Sequence, residues 1–166
     1  MVQLFVVTLK TNGKNEHERY MALALREARK AARIGEVPIG AVIVKDGEIV
    51  GRGYNRSESG KDPTLHAEMI AIRRAAKRLG AWRLLGCTMY VTVEPCPMCA
   101  GAAALARLDA VIAGAQSDRS GVCGGAREIL TGDPNSSIDY TVGVAGSECA
   151  TLLSGFFKEI RVAKST

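Results

Sequence analysis

Thr88–Ala115, TMYVTVEPCPMCAGAAALARLDAVIAGA, is the stretch that decides the fold. Thr88–Val93 is rich in β-branched and apolar residues and reads as a strand. Pro95 halts it, and Pro97 suits the first turn of a helix, where a missing N–H costs nothing. Cys96 and Cys99 open that helix, and its small residues, AGAAA at 100–104, allow close approach to a neighbouring element. Asp109–Ala115 then returns as a strand. A helix between two strands implies parallel neighbours joined by a right-handed crossover.

Upstream, Ile39–Val44 and Glu48–Tyr54 are short β-rich runs around Asp46-Gly47, a pair that accepts the positive φ angles of a tight hairpin. The sheet is therefore expected to be mixed: one antiparallel hairpin, then parallel strands. A first helix is expected over about 16–33, with Asn15 as cap, Glu18 three residues later, Met21, Leu25, Ala28 and Ala32 at helical spacing, and Gly35 as stop. Before it, Leu4–Val7 looks strand-like and Thr11–Lys14 loop-like, so residues 1–14 read as an appendage. Residues 55–64 read as a loop that delivers the chain to His66. The next helix is expected to start at Asp62-Pro63 or Thr64, to bury Leu65, Met69, Ile72, Ala76 and Leu79, and to end before Gly80. Downstream, 116–137 is rich in Gly, Ser and Asp and reads as a long loop around a short helical turn. Asp139–Val144 is a candidate fifth strand. Ser147 is a candidate cap for a last helix whose Cys149, Leu152, Leu153, Phe156 and Ile160 share a face. With no repeat or linker, residues 1–166 read as one domain.

An apolar content of 47% and a charged content of 23% exclude a largely disordered chain. Lys and Arg number 22 against 17 Asp and Glu, a formal charge of +5 that favours a polyanionic partner, although solvated helix faces account for the clusters at Arg26–Arg33, Arg73–Arg78 and Lys158–Lys164 equally well. The 5 cysteines are an odd number with no regular framework, which points to a reducing compartment and metal rather than disulfides. Cys87, Cys123 and Cys149 are then buried small hydrophobes. Met1–Leu9 is too short for a bilayer span and lacks the features of a signal peptide, so a cytoplasmic location and no membrane partner are expected.

The chemistry lies in His66-Ala67-Glu68 together with Pro95–Cys99. One histidine and two cysteines suit Zn²⁺, and three protein ligands rather than four leave a position for water. Cys96 and Cys99 are three residues apart at a helix N-terminus, where the macrodipole favours thiolate. His66 is the third ligand, and His17, the other histidine, has no ligand partner nearby in sequence, which argues against a closed structural site. Glu68 is placed to take a proton from the water and pass it to a leaving group. Helical spacing does not put His66 and Glu68 on one face, so the first turn must hold both toward the metal.

At these residues the chain resembles the cytidine deaminase superfamily: HAE followed by PCPMCAGA, with GEVPIGAVIV, GYNR, DPT-HAEM, TMYVTVEPCPMCAGA and ECATLLSGFF in that family's style and order. Within the superfamily the bacterial tRNA-specific adenosine deaminases are the nearest in style. The resemblance implies a three-layer α/β/α sandwich with a five-stranded mixed sheet, a homodimer, one zinc per chain, and hydrolysis of the wobble adenosine of a tRNA anticodon stem-loop to inosine. It implies that His66, Cys96 and Cys99 bind zinc and Glu68 shuttles protons. Asn55, Val37 and the backbone around Ala67 would hold the base, and Phe157 would line an anticodon-loop groove; plain packing of Val37 and Phe157 stays open.

Two departures fall among the nucleic-acid contacts. The position two residues beyond the strand ending at Ala115, where that family carries an Asp against the neighbouring nucleotide, is Ser117, with Asp118 one place later. The family's Asn-His before the last strand is replaced by Asn135-Ser136-Ser137. Deamination of a free base or nucleoside, guanine or cytosine, is therefore the alternative. A non-catalytic zinc-stabilised binding module is a further one, against which Glu68 argues.

Overall fold

The computed structural model describes residues 2–117, 129 and 138–163, with side chains from residue 15 onward. Strands β1 (Gly40–Lys45) and β2 (Glu48–Tyr54) form the expected hairpin. Asp46 and Gly47 both take positive φ, 49° and 78°, as a tight hairpin turn demands. Next come strand β3 (Cys87–Val93), helix α4 (Pro97–Leu105) and strand β4 (Ala110–Ala115), with β3 and β4 parallel. The sheet is five-stranded in the order β2-β1-β3-β4-β5, where β5 is Asp139–Val142. β1 is antiparallel to β2 and β3, and β5 is parallel to β4, so the sheet is mixed.

Alternate residues of the central strands enter two separate cores. Ala41, Ile43, Met89, Val91, Val111 and Ala113 pack against α3 (Ala67–Leu79) and α4. Val42, Val44, Tyr90 and Ile112 pack against Tyr20, Met21, Ala24 and Leu25 of α1 (Val2–Arg33) and Cys149 of α5 (Gly146–Ala163). Burial on both faces explains why these strands read as continuous apolar runs, and the result is the three-layer α/β/α sandwich. On the outer edge, Arg74 and Arg78 of α3 donate to the carbonyls of Arg52 and Ile49 at 3.0 and 2.8 Å, covering the free side of β2.

Several boundaries differ from expectation. α1 runs from Val2, so the strand-like Leu4–Val7 and the loop-like Thr11–Lys14 are helical backbone, and Asn15 is interior rather than a cap; once a helix exists, extension costs little per residue, and local β preference is too weak to stop it. Within the expected loop 55–64, Ser57–Gly60 forms one short helix, α2, ended by Lys61 in the left-handed conformation. α3 begins at Ala67, later than Asp62–Thr64, because the Asp62 carboxylate accepts from the Thr64 amide and hydroxyl at 2.8 and 2.7 Å and makes its own turn. β5 stops at Val142, where Gly143 turns with φ 103°. Ser147 lies inside α5 rather than at its cap. Cys87 and Cys149 are buried as expected, while Cys123, Asp118 and Asn135–Ser137 lie outside the described residues.

The buried stripe of α3 also differs. Ala67, Ala71 and Ala75 are fully buried, whereas Leu65, Met69, Ile72, Ala76 and Leu79 are half-buried. The cause is the partner strand. A Cβ at Gly51 would strike the Ala71 carbonyl, and one at Gly53 would strike the Ala67 carbonyl and approach the Ala71 amide to 2.8 Å. Glycine on β2 and alanine on α3 thus let helix and strand backbones touch, and this contact sets the position of the α3 N-terminus. Gly53→Ala is expected to push that end away: overpacking of this kind costs about 1–3 kcal/mol, a fall of roughly 3–10 °C in Tm for a chain of this size, read by thermal denaturation.

Candidate metal and deaminase site

Four chain ends meet at one edge of the sheet. The register pairs Gly40 with Tyr54, Ala41 with Val91 and Val93 with Ala115, so the start of β1 and the ends of β2, β3 and β4 lie side by side. In open α/β sheets, ligands bind outside the carboxyl ends of the parallel strands. His66 and Cys96 both arrive there, from different connections.

Each is the N-cap of a helix. His66 precedes α3 with φ −73° and ψ 154°, and Cys96 precedes α4 with φ −72° and ψ 167°, and neither side chain caps its helix. Pro97 occupies the first turn of α4, and Cys99 is buried in that turn. His66 Nδ1 lies 3.6 Å from Cys96 Sγ and 3.5 Å from Cys99 Sγ, and the three ligand atoms all lie within 4.8 Å of one another. Zn–S bonds of about 2.3 Å and Zn–N bonds of about 2.0–2.1 Å give a tetrahedron an N···S edge of about 3.6 Å, so the trio fits zinc.

The same closeness governs the protons. The Cys99 thiol bonded to Cys96 holds the latter's pKa far below an ordinary thiol, with His66 assisting and burial opposing. Cys99 is pushed up by the Cys96 thiolate, then by burial and the Glu68 carboxylate. The bond to Cys96 raises His66 against the effect of burial. Protons shared in this way are those that a divalent cation displaces on binding.

Glu68 is in the first turn of α3 and buried. Burial raises its pKa above the carboxylate range, opposed by its own backbone amide and by His66, and its side chain bonds to Cys99. The extended backbone of His66 explains how residues two apart serve one place: His66 is outside the helix and does not follow its periodicity. Asn55 is buried directly after β2, and Arg56 next to it donates its amide to Leu65, the residue before His66, at 3.0 Å. Ala67 is fully buried at the start of α3, and Val37 is half-buried in the turn before β1. Ser117, half-buried, donates its amide to Glu94 Oε2 at 3.3 Å. Phe157 is not brought to the trio. It lies on α5, in the opposite layer, edge-on to Phe156 at 5.6 Å between ring centroids. Phe156 lines a groove of about 510 Å³ between α1 and α5.

Residues 14–115 match the family described as the cytidine and deoxycytidylate deaminase zinc-binding region. The chain belongs to this deaminase family. A tRNA-specific adenosine deaminase of Bacillus subtilis (strain 168) is 46% identical to this deaminase over 150 residues, 90% of this chain and 93% of the relative. A solved structure from a study of A-to-I editing by tRNA:A34 deaminases at the wobble position of transfer RNA is 42% identical, with TM-score 0.75, over 81% of this chain and 99% of the other. The X-ray structure of a guanine deaminase from Bacillus subtilis is 46% identical with TM-score 0.58, over 60% of this chain and 64% of the other.

Sequence reasoning missed Glu36 and Glu94, two buried carboxylates beside this edge. Both lie inside the resemblance motifs, Glu36 in GEVPIGAVIV and Glu94 in TMYVTVEPCPMCAGA, but charge alone in a local window reads as surface. Replacement of either thiol ligand, Cys96→Ser or Cys99→Ser, is expected to take the deaminase from one zinc per chain to well below it in elemental analysis. Chelation of the parent is expected to lower its Tm, since a ligand bound to the native state alone stabilises it.

Proposed function

We propose that this deaminase converts the adenosine at the wobble position of a tRNA anticodon stem-loop to inosine. The observation that carries the hydrolytic reading is the buried Glu68 carboxyl against the ligand trio His66, Cys96 and Cys99. When bound there, zinc supplies Lewis acidity and makes water nucleophilic near neutral pH. Glu68 is the proton carrier: its carboxylate takes a proton from water as the oxygen adds to the carbon bearing the amine, then gives it to the amine nitrogen, which leaves as ammonia. Its burial keeps the carboxyl's pKa high, as a group that must both accept and return a proton requires. Asn55, Val37 and the backbone at Ala67 orient the base, Ser117 faces the neighbouring nucleotide, and Phe157 reaches the loop from α5.

The choice of tRNA rests on coverage: the tRNA-specific relative is matched over 93% of its length. Deamination of a free base is the second reading, favoured by the likeness to a guanine deaminase and by Ser117. We further propose one domain over residues 1–166, a cytoplasmic location and a homodimer. The outward face of α4, with Met98 37% and Leu105 75% exposed, supports the last of these. Among the described residues no helix is long and apolar enough to cross a membrane.

One assay panel tests the substrate: an RNA stem-loop with a wobble adenosine, its DNA counterpart, free guanine and free cytosine. Inosine is expected in the RNA stem-loop, and action on guanine or cytosine with none on RNA refutes the assignment. Glu68→Ala is expected to lose at least about 100-fold in kcat while zinc content stays at one per chain; loss of zinc would contradict the shuttle role. Ser117→Asp is expected to sharpen discrimination of RNA against DNA, and equal discrimination in variant and parent would count against a role for this position.

A further inference from the structure

Among the described residues, Asn55 makes two side-chain hydrogen bonds. Its Nδ2 donates to Glu36 Oε2 at 3.1 Å, and its Oδ1 accepts from the Ser57 hydroxyl at 3.4 Å. The two ends of a carboxamide have almost the same size, so packing alone does not choose between them. Chemistry does. An ionised carboxylate has no hydrogen to give, so only the nitrogen end of Asn55 can face it.

Glu36 is 1% exposed, and its second oxygen accepts the Ser59 amide at 2.6 Å. Burial by itself would raise its pKa, but the hydrogen bonds from Ser59 and from the Glu58 backbone, with the charge of Arg56, outweigh it and hold the carboxyl below its ordinary range. Glu36 is therefore an acceptor only at neutral pH. It is also tied to the site's frame: it anchors α2 through Ser59, and the chain on either side of α2 is closed by the Arg56 amide on the Leu65 carbonyl, one residue from His66.

We propose that Glu36 is the positioning residue that fixes which end of the Asn55 amide a substrate base meets. This rests on the reading of Asn55 as a base contact. With Nδ2 tied to Glu36 and Oδ1 to Ser57, Asn55 offers its second N–H and its free carbonyl lone pair in one order. A base edge presents donor and acceptor in a fixed order too, so one amide orientation matches it and the flipped one sets donor against donor. Glu36 is thus a specificity determinant that does not touch the base.

Two replacements separate charge type from shape. Glu36→Gln keeps the length but can donate, so it admits the flipped Asn55; Glu36→Asp is shorter but still only accepts. Steady-state kinetics of the zinc-loaded proteins on the adenosine stem-loop are expected to show a loss of roughly tenfold or more in kcat/KM for Glu36→Gln, with Glu36→Asp closer to the parent. In an Asn55→Ala background, Glu36→Gln is expected to change kcat/KM by less than about twofold, because its effect passes through Asn55. Tm and zinc content, measured alongside, restrict the comparison to folded protein. If Glu36→Gln does not fold, Glu36→Ala, which also removes the acceptor, is measured in the two backgrounds: a loss that disappears without Asn55 supports the proposal, and an equal loss overturns it.

A Gln variant closer to the parent than the Asp variant, or an equal loss with and without Asn55, overturns the proposal. Parental activity of Asn55→Ala overturns the reading of Asn55 itself and the proposal with it. If the parent acts on free guanine rather than RNA, the substrate reading has failed alone, and the same ranking and coupling measured on guanine decide the role of Glu36.

Discussion

Two helix N-termini point at one spot on the sheet edge, and the site depends on that convergence. His66 and Cys96 occupy the cap positions of α3 and α4 with nearly the same extended backbone. A cap residue normally turns its side chain back on the helix to satisfy a free amide. Here neither does, so both side chains are available to a shared ligand, and the first-turn amides of the two helices add positive potential. That potential favours thiolates and anionic or electron-rich groups, which is the electrostatic condition a His-Cys-Cys zinc site needs.

The convergence is held by small residues. Gly51 and Gly53 on β2 and Ala67, Ala71 and Ala75 on α3 bring backbones into direct contact, so the N-terminus of α3 has almost no room to shift. Opposite, Ala100 and Ala103 seat α4 on the same face of the sheet. Rigid seating matters because metal ligands and a proton carrier must keep their geometry within a fraction of an ångström. Apolar bulk would bury more area and hold the position less well.

Around this edge, buried carboxylates have distinct tasks set by their partners. Glu68 meets burial and thiols, and burial raises its pKa above the ordinary carboxylate value. Glu36 receives amide hydrogens and stays ionised. Glu94 accepts the Ser117 amide and ties the end of β4 to the segment that carries Cys96. Burial thus raises the pKa of one carboxyl while donated hydrogens lower that of another, according to how many donors reach each.

The primary structure alone determined the strand–helix–strand unit at 88–115, the Asp46-Gly47 hairpin, the mixed sheet and the zinc-binding trio, because each rests on short-range rules: proline geometry, positive φ, period-two apolarity and ligand spacing. The length of α1, the start of α3, its alanine stripe and the placing of Phe157 away from the trio were decided only by tertiary structure. So were the pairing of His66 with Glu68 and the partnership of Glu36 with Asn55. Those features depend on which backbone faces which across the sheet, and contacts between residues distant in sequence leave no periodic or compositional trace along the chain.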